Sequence, residues 1–275
     1  MTIIYRSFDQ ASLDTAYNNQ AAVEGFASLV ADWRHRSALI ARNSDAQLDL
    51  AYGSKPRQLV DYYPQPAGAP LLVFIHGGYW QGGEKRSVGF LAEGPLSRGF
   101  AVVMVEYTVA PDGRLSEMVS EIRSSLAWLR HQAAELGFDA TRIFLAGHSA
   151  GAQLLCNVLD EKGVIAGVAI SGLYDLEPIR LSYLNKKLAL VPDDVEQYSP
   201  IHNLPLADVP LVVSVGANEL PELVRQSHDF ADLSKAIYLP LSGHNHFTIL
   251  DELAKPDGSL CRLLDELCNK AKARV

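Results

Sequence analysis

The chain has 275 residues, of which 48% are hydrophobic and 20% are charged, and its formal net charge is −8. A chain of this length can bury a large core and still form one domain, so we expect a single domain over residues 1–275. The negative charge and the lack of a basic stripe in the sequence argue against a nucleic-acid partner.

The N-terminal sequence has the features of neither an exported nor a membrane-anchored protein. Residues Met1 to Ser7 lack the long apolar core of a signal peptide. No stretch has the uncharged length of a membrane span. The three cysteines, Cys156, Cys261 and Cys268, lack metal-ligand spacing and are typical of buried thiols in a reducing compartment. We therefore expect a cytoplasmic enzyme with no membrane partner.

The first predicted elements are helical and then extended. A helical segment at about residues 10–42 has apolar positions that include Trp33. Two weaker strands follow at Gln47–Ala51 and Arg57–Tyr63, and Pro64–Gly68 is a turn signal. These elements precede a more regular pattern.

From Leu71 onward, short apolar strands alternate with helices. The predicted strands are Leu71–Ile75, Ala101–Glu106, Arg142–Ala146, Val164–Ser171, Leu211–Val215 and Ala236–Leu239. The predicted helices are Ser87–Arg98, Leu115–Leu136, Ala150–Leu159, Glu222–Leu233 and Ser259–Ala271. With the two earlier strands, this alternation predicts an α/β protein with a mostly parallel, eight-stranded sheet and helices on both faces. Catalytic residues are then expected on loops at the carboxyl ends of the strands.

One segment interrupts the alternation. Residues 172–210 are too long for a plain crossover between two strands. We predict a partly helical cap over the site, with Tyr183 and Asn185 in its middle. The alternative is a surface insertion that makes no contact with substrate.

The segment Gly147-His148-Ser149-Ala150-Gly151 has the G-x-S-x-G pattern of a nucleophile elbow. It follows the predicted strand Arg142–Ala146, and a serine at the top of a strand can present its hydroxyl to a substrate. The alternative is a strand-to-helix turn that is merely rich in small residues. His148 is expected to point elsewhere on the turn.

A second glycine-rich segment, His76-Gly77-Gly78-Tyr79-Trp80, follows the predicted strand Leu71–Ile75. Glycines let backbone N–H groups come close to a developing oxyanion. The combination of this segment with the elbow indicates acyl transfer by Ser149, and hydrolysis in particular. His76 is expected to fix the loop rather than to act as a base.

The other catalytic groups are expected in the order serine, acid, histidine along the chain. Glu219 follows the strand Leu211–Val215, where the acid belongs. Asp175 is the rival acid, with helix capping as its alternative role. His246 precedes the apolar start of a helix and is preferred as the base over His244, which lies in a Gly-flanked turn.

The sequence indicates no cofactor. No cluster of His, Asp and Glu has metal-ligand spacing, and neither G-x-G-x-x-G nor G-x-x-x-x-G-K occurs. We therefore expect a metal-independent serine hydrolase.

The segment from His76 to Gln81 resembles the oxyanion motif of the kynurenine formamidase (arylformamidase) branch of the α/β-hydrolases, which is related to the hormone-sensitive-lipase-like esterases. Most of those esterases have a small residue where this chain has Tyr79. Other segments are similar to the same family: Tyr17-Asn18-Asn19 with Trp33, Glu106–Pro111, Ser171–Pro178, Glu219 with Arg225-Gln226-Ser227, and His246-Phe247. The likeness covers nearly the whole chain and implies the α/β-hydrolase fold with a small helical cap.

The resemblance also implies a role for each candidate residue. Ser149 would be the nucleophile, His246 the general base and then acid, and Glu219 the acid that orients the histidine. The oxyanion hole would comprise Gly77, Gly78, Tyr79 and Ala150, with the backbone N–H groups of the last three as donors. The residues expected to contact the substrate are Tyr79, Trp80, Tyr183 and Asn185.

The named reaction of that family is hydrolysis of N-formylkynurenine to kynurenine and formate, a step of tryptophan catabolism. The expected partner is therefore a small aryl amide or ester, and assembly into a homodimer is left open. The rings of Tyr79 and Trp80 would narrow the acyl side of the site, unless they pack inward as core. The alternatives are a carboxylesterase or carbamate hydrolase acting on aryl or short-chain esters, and a non-catalytic ligand-binding protein on the same fold.

Overall fold

The computed structural model describes residues 2–205 and 209–272. Residues 206–208 of the predicted cap insertion, and residues 1 and 273–275 of the predicted domain, lie outside the described residues. Within the described part, no helix combines the length and the apolar character that crossing a membrane requires.

In the described part of the chain, eight strands form one sheet in the order β1-β2-β4-β3-β5-β6-β7-β8. The strands are β1 (Gln47–Ala51), β2 (Leu59–Tyr63), β3 (Ala69–Ile75), β4 (Ala101–Val105), β5 (Phe138–His148), β6 (Val164–Ile170), β7 (Leu211–Gly216) and β8 (Ile237–Leu241). The β1–β2 and β2–β4 pairs are antiparallel, and the other neighbouring pairs are parallel. The predicted eight-stranded, mostly parallel sheet is confirmed.

The described helices lie on both faces of this sheet. They are α1 (Gln10–Ala16), α2 (Phe26–Asn43), α3 (Lys85–Val88), α4 (Glu93–Ser97), α5 (Leu115–Leu136), α6 (Ala150–Cys156), α7 (Glu177–Leu181), α8 (Asn185–Leu188), α9 (Pro192–Tyr198), α10 (Pro221–Ser234), α11 (Asp251–Ala254) and α12 (Ser259–Lys272). The bounds of α5 agree with the prediction, because Gly137 ends this strongly periodic helix in a left-handed conformation at φ 85°.

Two predicted helices are broken in the structure. The N-terminal segment at about residues 10–42 forms α1 and α2 rather than one helix, and Gly25 precedes α2 with φ 72°. The predicted helix Ser87–Arg98 is divided into α3, a 3₁₀ turn at Gly89–Ala92, and α4. Gly89 packs so closely that a Cβ atom there would lie 2.5 Å from the Tyr63 hydroxyl, a long-range contact that periodicity does not reveal.

Each face of the sheet has its own apolar core. Successive side chains of a strand point to opposite faces. On β3, Leu71, Val73 and Ile75 belong to the core that includes residues of α5, α6 and α10. Leu72 and Phe74 belong to the core that includes residues of α2 and α12. Because the helices cover the two faces, the loops that follow the strands lie at the carboxyl edge of the sheet.

The N-terminal segment passes from one core to the other. Leu13 and Tyr17 lie in the α5 core, whereas Trp33 on α2 lies in the opposite core. The connection between them contacts the loop that follows β3, because the Asn19 side-chain amide donates to the Tyr79 hydroxyl. The connection thus crosses the carboxyl edge of the sheet.

The insertion at residues 172–210 contains the short helices α7, α8 and α9, in agreement with the prediction that it is partly helical. It packs beside α1 and α5. The backbone N–H of Tyr183 donates to Asp14 at 2.8 Å, and the guanidinium of Arg114 donates to the carbonyl of Ala189 at 2.7 Å. These contacts hold the insertion on the α5 side of the sheet.

Candidate active site

Ser149 occupies the turn between β5 and α6. Its backbone lies at φ 56° and ψ −119°, a conformation that residues other than glycine adopt rarely. Position 151 requires glycine, because a Cβ atom there would lie 2.1 Å from the carbonyl oxygen of Ile75. This is the strand, turn and helix context that the G-x-S-x-G pattern predicts.

Side chains from three separate loops form one hydrogen-bonded chain. Ser149 Oγ lies 3.1 Å from Nε2 of His246, and Nδ1 of His246 lies 2.6 Å from Oε2 of Glu219. Because a carboxylate can only accept, Nδ1 carries the proton, and Nε2 faces the serine hydroxyl as an acceptor. Ser149 and His246 are buried, with 3% and 4% of their surface exposed. The structure therefore brings the three sequence-predicted residues together.

Two further donors hold the carboxylate of Glu219. The backbone N–H of Gly216, at the end of β7, donates to Oε1 at 2.7 Å, and the hydroxyl of Ser171 donates to the same oxygen at 2.5 Å. These bonds fix the orientation of the carboxylate toward His246. The sequence analysis assigns Ser171 no catalytic or positioning role. Its position at the end of a predicted strand nevertheless places it at the carboxyl edge, where site residues are expected.

The rival residues make other contacts. His244 Nε2 lies 3.4 Å from a carboxylate oxygen of Glu252 on α11. Asp175 accepts the backbone N–H of Glu177, the first residue of α7, at 2.9 Å and the Tyr5 hydroxyl at 2.7 Å, but it lies one residue before Leu176, the N-cap of this helix. Neither His244 nor Asp175 is hydrogen-bonded to Ser149.

The loop that follows β3 turns sharply beside Ser149. Gly78, Tyr79 and Trp80 all have positive φ, at 118°, 51° and 57°. A Cβ atom at Gly78 would lie 2.3 Å from the carbonyl oxygen of Gly82, so only glycine fits there. Across residues 2–205 and 209–272, no protein acceptor is bonded to the backbone N–H groups of Gly78, Tyr79 and Ala150. These N–H groups therefore keep unused donor capacity in the described structure.

The hydroxyl of Tyr79 ties this loop to the N-terminal segment. It donates to the carbonyl of Tyr17 at 2.7 Å and accepts from the side-chain amide of Asn19 at 2.9 Å. Burial raises the pKa of Tyr79 well above its usual value, so the phenol stays protonated and keeps its donor. The N-terminal segment and the oxyanion loop are therefore joined directly.

Trp80 lies in the core and not in the substrate cavity. Only 1% of its surface is exposed, and its indole N–H donates to Oε1 of Gln153 on α6 at 3.0 Å. The prediction that Trp80 contacts substrate is wrong. The physical reason is packing: Trp80 belongs to the buried core, where Gln153 accepts its indole N–H, whereas Tyr79 is only partly buried and lines the cavity.

Ser149 and His246 line a cavity of about 390 Å³, a volume in the usual range for small-molecule sites. The other lining residues come from the N-terminal segment, the two glycine-rich turns, the loop around α3 and the start of the last helical region. They are Asn19, Gln20, Phe26, Val30, Trp33, Arg34, His76, Gly77, Gly78, Tyr79, Gly83, Glu84, Ser87, Val88, His148, Phe247 and Leu250. The walls are mostly apolar.

The cover of this cavity is the N-terminal segment and not the predicted cap. Among its described residues, the insertion 172–210 contributes nothing to the lining. The placement of Tyr183 and Asn185 at the substrate was therefore wrong for this cavity. The amide of Asn185 instead accepts the backbone N–H of Leu190 at 2.7 Å and holds the turn after α8.

One face of α2 supplies the apolar part of the wall. Phe26, Val30 and Trp33 are separated by four and three residues, which places them on the same side of the helix. The rings of Phe26 and Phe247 lie 4.7 Å apart. The sequence analysis identifies Trp33 as an apolar position of the predicted helix and as part of the family likeness, but it gives Phe26 and Val30 no role, although the helical spacing is a signal for the whole face.

Two more histidines support the site. His148 donates from Nε2 to the backbone carbonyl of His246 at 2.7 Å, and burial lowers the pKa of His148 well below its usual value. His76 contacts Glu106 Oε1 through Nε2 and the carbonyl of Gly77 through Nδ1, both at 2.8 Å. Both histidines therefore hold neighbouring groups in place through hydrogen bonds: His148 holds the backbone of His246, and His76 holds its own loop, the role expected for it.

Potential metal ligands are dispersed in the described part of the chain, where no group of three or more His, Cys, Asp or Glu side chains could hold an ion. Cys156, Cys261 and Cys268 are buried free thiols. Burial raises the pKa of Cys156 above its usual value.

Comparisons with known proteins agree with this geometry. The sequence family described as BD-FAE matches residues 61–162. The chain is 31% identical to the kynurenine formamidase of Danio rerio over 82% of each chain, and 30% identical to that of Drosophila melanogaster over 90% of this chain and 89% of the relative. It is also similar to the crystal structure of a candidate thioesterase from Silicibacter sp. tm1040, with a TM-score of 0.84 and 32% identity over 92% of this chain and 98% of that one.

Proposed function

The chain belongs to the kynurenine formamidase family of the α/β-hydrolases, and from this we propose that it is a serine hydrolase that removes a small acyl group from an aromatic amine. N-formylkynurenine is the leading substrate, which makes the protein an arylformamidase. The observation that carries the proposal is the hydrogen-bonded chain from Glu219 through His246 to Ser149 at an apolar cavity.

In the proposed reaction, the hydroxyl oxygen of Ser149 attacks the formyl carbon of the substrate. His246 takes the hydroxyl proton on Nε2, which already lies 3.1 Å from that oxygen. The carboxylate of Glu219 stabilises the imidazolium that forms and keeps the ring oriented. The product of this step is a tetrahedral intermediate with a negative oxygen.

The backbone N–H groups of Gly78, Tyr79 and Ala150 are the proposed donors to this oxyanion. They have no acceptor among the described residues, so binding the oxyanion breaks no existing bond. Losing one such donor typically raises the barrier by about 3 kcal/mol. Three successive residues of this loop have positive φ, a strained conformation of the kind that is often found at functional sites.

Collapse of the intermediate breaks the bond between the formyl carbon and the amine nitrogen. His246 gives its proton to that nitrogen, and the aryl amine leaves. Water then transfers a proton to His246 as it attacks the carbonyl carbon of the formyl-Ser149 ester, which gives a second tetrahedral intermediate. When the bond from this carbon to Oγ of Ser149 breaks, His246 returns the proton to Oγ, which restores the serine hydroxyl and releases formic acid, which ionises to formate. Each step uses only these side chains and water, so we propose a metal-independent reaction without a cofactor.

The apolar wall supports an aromatic leaving group. Phe26, Val30, Trp33, Phe247 and Leu250 line the cavity that contains Ser149. Aromatic rings pack favourably against such side chains, and burying them removes apolar surface from water. The aryl ring of an aromatic amine therefore suits this apolar part of the cavity.

Ester hydrolysis is the second candidate function. The same attack and the same donors serve a carboxylic or carbamic ester, and the solved relative is named as a candidate thioesterase. The two functions differ in whether the leaving atom needs a proton from His246, since an aryl oxide leaves more readily than an aryl amide anion.

The test is a turnover screen of the purified protein on N-formylkynurenine, other aryl formamides and short phenyl esters, with Ser149→Ala as the matched control. We expect release of kynurenine by the wild type and its loss in Ser149→Ala, with the far-UV circular dichroism unchanged. A fluorophosphonate should label the wild type stoichiometrically and leave the variant unlabelled. Undetectable turnover of every aryl formamide, beside fast ester hydrolysis, would transfer the assignment to an esterase.

A further inference from the structure

Two formally charged side chains of opposite sign line the cavity. Among the described lining residues, Arg34 on α2 and Glu84 before α3 are the only members of the Lys, Arg, Asp and Glu group. Their side chains are 62% and 40% exposed. Because Ser149 and His246 are almost completely buried, the charged pair marks the solvent end of the same cavity.

Arg34 and Glu84 contact each other without using all of their polar atoms. Nη2 of Arg34 lies 2.9 Å from Oε1 of Glu84, and the Ser87 hydroxyl donates to that same Oε1 at 3.0 Å. Within the described residues, neither Nη1 of Arg34 nor Oε2 of Glu84 has a hydrogen-bond partner. A guanidinium edge and a carboxylate oxygen thus remain available side by side.

An exposed ion pair of this kind contributes little to stability, because water screens the attraction and both long side chains must be held in one geometry. It can therefore take on new partners at small cost. A ligand that carries a carboxylate and an ammonium on the same carbon could place its carboxylate on the arginine and its ammonium on the glutamate. Arginine is suited to the carboxylate, because its planar group can donate two parallel hydrogen bonds.

We propose that Arg34 and Glu84 form a subsite for the head of an α-amino acid, with the substrate carboxylate on Arg34 and its ammonium on Glu84. This inference rests on the proposed function and names the two residues that would select aryl formamides by the charged head of their side chain. The formyl group lies at Ser149, and the aryl ring lies against Phe26 and Trp33.

The polarity of the cavity determines the direction of binding. A zwitterionic head placed at the buried end would lose its hydration without a charged partner, which is costly. At the solvent end it keeps part of its hydration and gains two partners. In N-formylkynurenine the ring separates the formyl group from the amino-acid head, so the two ends of the substrate match the two ends of the cavity.

The experiment compares four aryl formamides that differ only in the head group. N-formylkynurenine has both charges, N-formylkynuramine only the ammonium, 4-(2-formamidophenyl)-4-oxobutanoate only the carboxylate, and 2-formamidoacetophenone neither. The kcat/KM of each is measured for the wild type, Arg34→Gln and Glu84→Gln. Arg42→Gln on the same helix and Glu24→Gln, both exposed positions that do not line the cavity, are matched controls for the change in net charge.

In Arg34→Gln we expect the ratio of kcat/KM between each carboxylate substrate and 2-formamidoacetophenone to fall by about tenfold, mainly through KM. In Glu84→Gln the same fall is expected for the ammonium substrates. The control variants should keep the wild-type ratios. Similar thermal unfolding of all variants establishes that they are folded.

Other outcomes overturn the inference in distinguishable ways. Equal kcat/KM of the wild type for all four formamides would reject the subsite and leave the formamidase assignment intact. An equal loss on all four substrates in Arg34→Gln or Glu84→Gln would assign these residues a structural role and also reject the subsite. Failure to hydrolyse any of the four would reject the proposed function, and the subsite with it.

Discussion

The indole N–H of Trp80 donates to the side-chain oxygen of Gln153 at 3.0 Å and so joins the oxyanion loop to the helix that follows Ser149. Gln153 lies four residues after Ser149, one turn into α6, and is fully buried. Two of the proposed oxyanion donors, Gly78 and Tyr79, belong to a different loop from the nucleophile. This bond is therefore a direct link that fixes their separation.

Gln153→Leu should impair both stability and catalysis. The substitution leaves the buried N–H of Trp80 without an acceptor, which costs about 1–3 kcal/mol in the free energy of unfolding. We expect kcat to fall with little change in KM, because the displaced backbone donors act in the transition state. Urea denaturation and steady-state kinetics on one aryl formamide measure the two effects.

Gln153 also donates to the carbonyl of Tyr198, so the single variant removes two bonds. A double-mutant cycle with Trp80→Phe isolates the contribution of the bond between Trp80 and Gln153. Strictly additive effects on kcat would show that this bond does not position the loop.

Substitution of the two C-terminal histidines should separate their roles. His246→Ala should lower kcat by several orders of magnitude, because the base that contacts Ser149 is gone. His244→Ala should reduce kcat by only a few-fold, since His244 faces Glu252. Steady-state rates on N-formylkynurenine make the comparison, and the opposite ranking would exchange the assignments.

Chelation should leave the activity unchanged. The proposed reaction uses a serine, a histidine, a carboxylate and backbone N–H groups, and none of these steps requires a metal ion. Rates are measured before and after dialysis against a strong chelator, with a chelator-treated zinc hydrolase as the positive control. A large loss of activity that zinc restores would refute the serine mechanism as described.

The rate should fall steeply with acyl length on a single aryl amine. Gly77 packs against the nucleophile, since a Cβ atom there would lie 3.0 Å from Cβ of Ser149, and the proposal places the acyl group at this buried end of the cavity. We expect kcat/KM to decrease by about tenfold for each added methylene from formyl to butyryl. A flat or rising series would favour the esterase function.

The proposed chemical centre was largely predictable from the sequence, because each of its residues follows a recognisable strand. Ser149, Glu219 and His246 come after β5, β7 and β8, and the carboxyl ends of parallel strands meet at one edge. Local apolar runs are enough to locate such strands. Periodicity does not show which distant side chains hold the catalytic groups in position, such as Ser171, whose hydroxyl donates to Glu219.

The cover of the cavity could not be predicted in the same way. The length of the insertion 172–210 suggested a cap, but length alone does not indicate what a segment packs against. The bond between Asn19 and Tyr79 joins residues sixty positions apart, and no local pattern reports it. The same limit applies to Trp80, whose burial depends on the positive φ of the loop and on Gln153 in another element.

Because the N-terminal segment covers the cavity, the residues that would select the substrate are separate in sequence from those proposed to catalyse the reaction. The candidate catalytic groups lie between His76 and His246, whereas much of the cavity wall comes from Asn19 to Arg34. A change confined to residues 20–43 can therefore alter the range of substrates while Tyr17 and Asn19 keep their bonds to Tyr79 of the oxyanion loop. Exchanging residues 20–43 between relatives is a direct way to transfer selectivity, and divergence in this stretch is a route by which one catalytic framework comes to serve different metabolites.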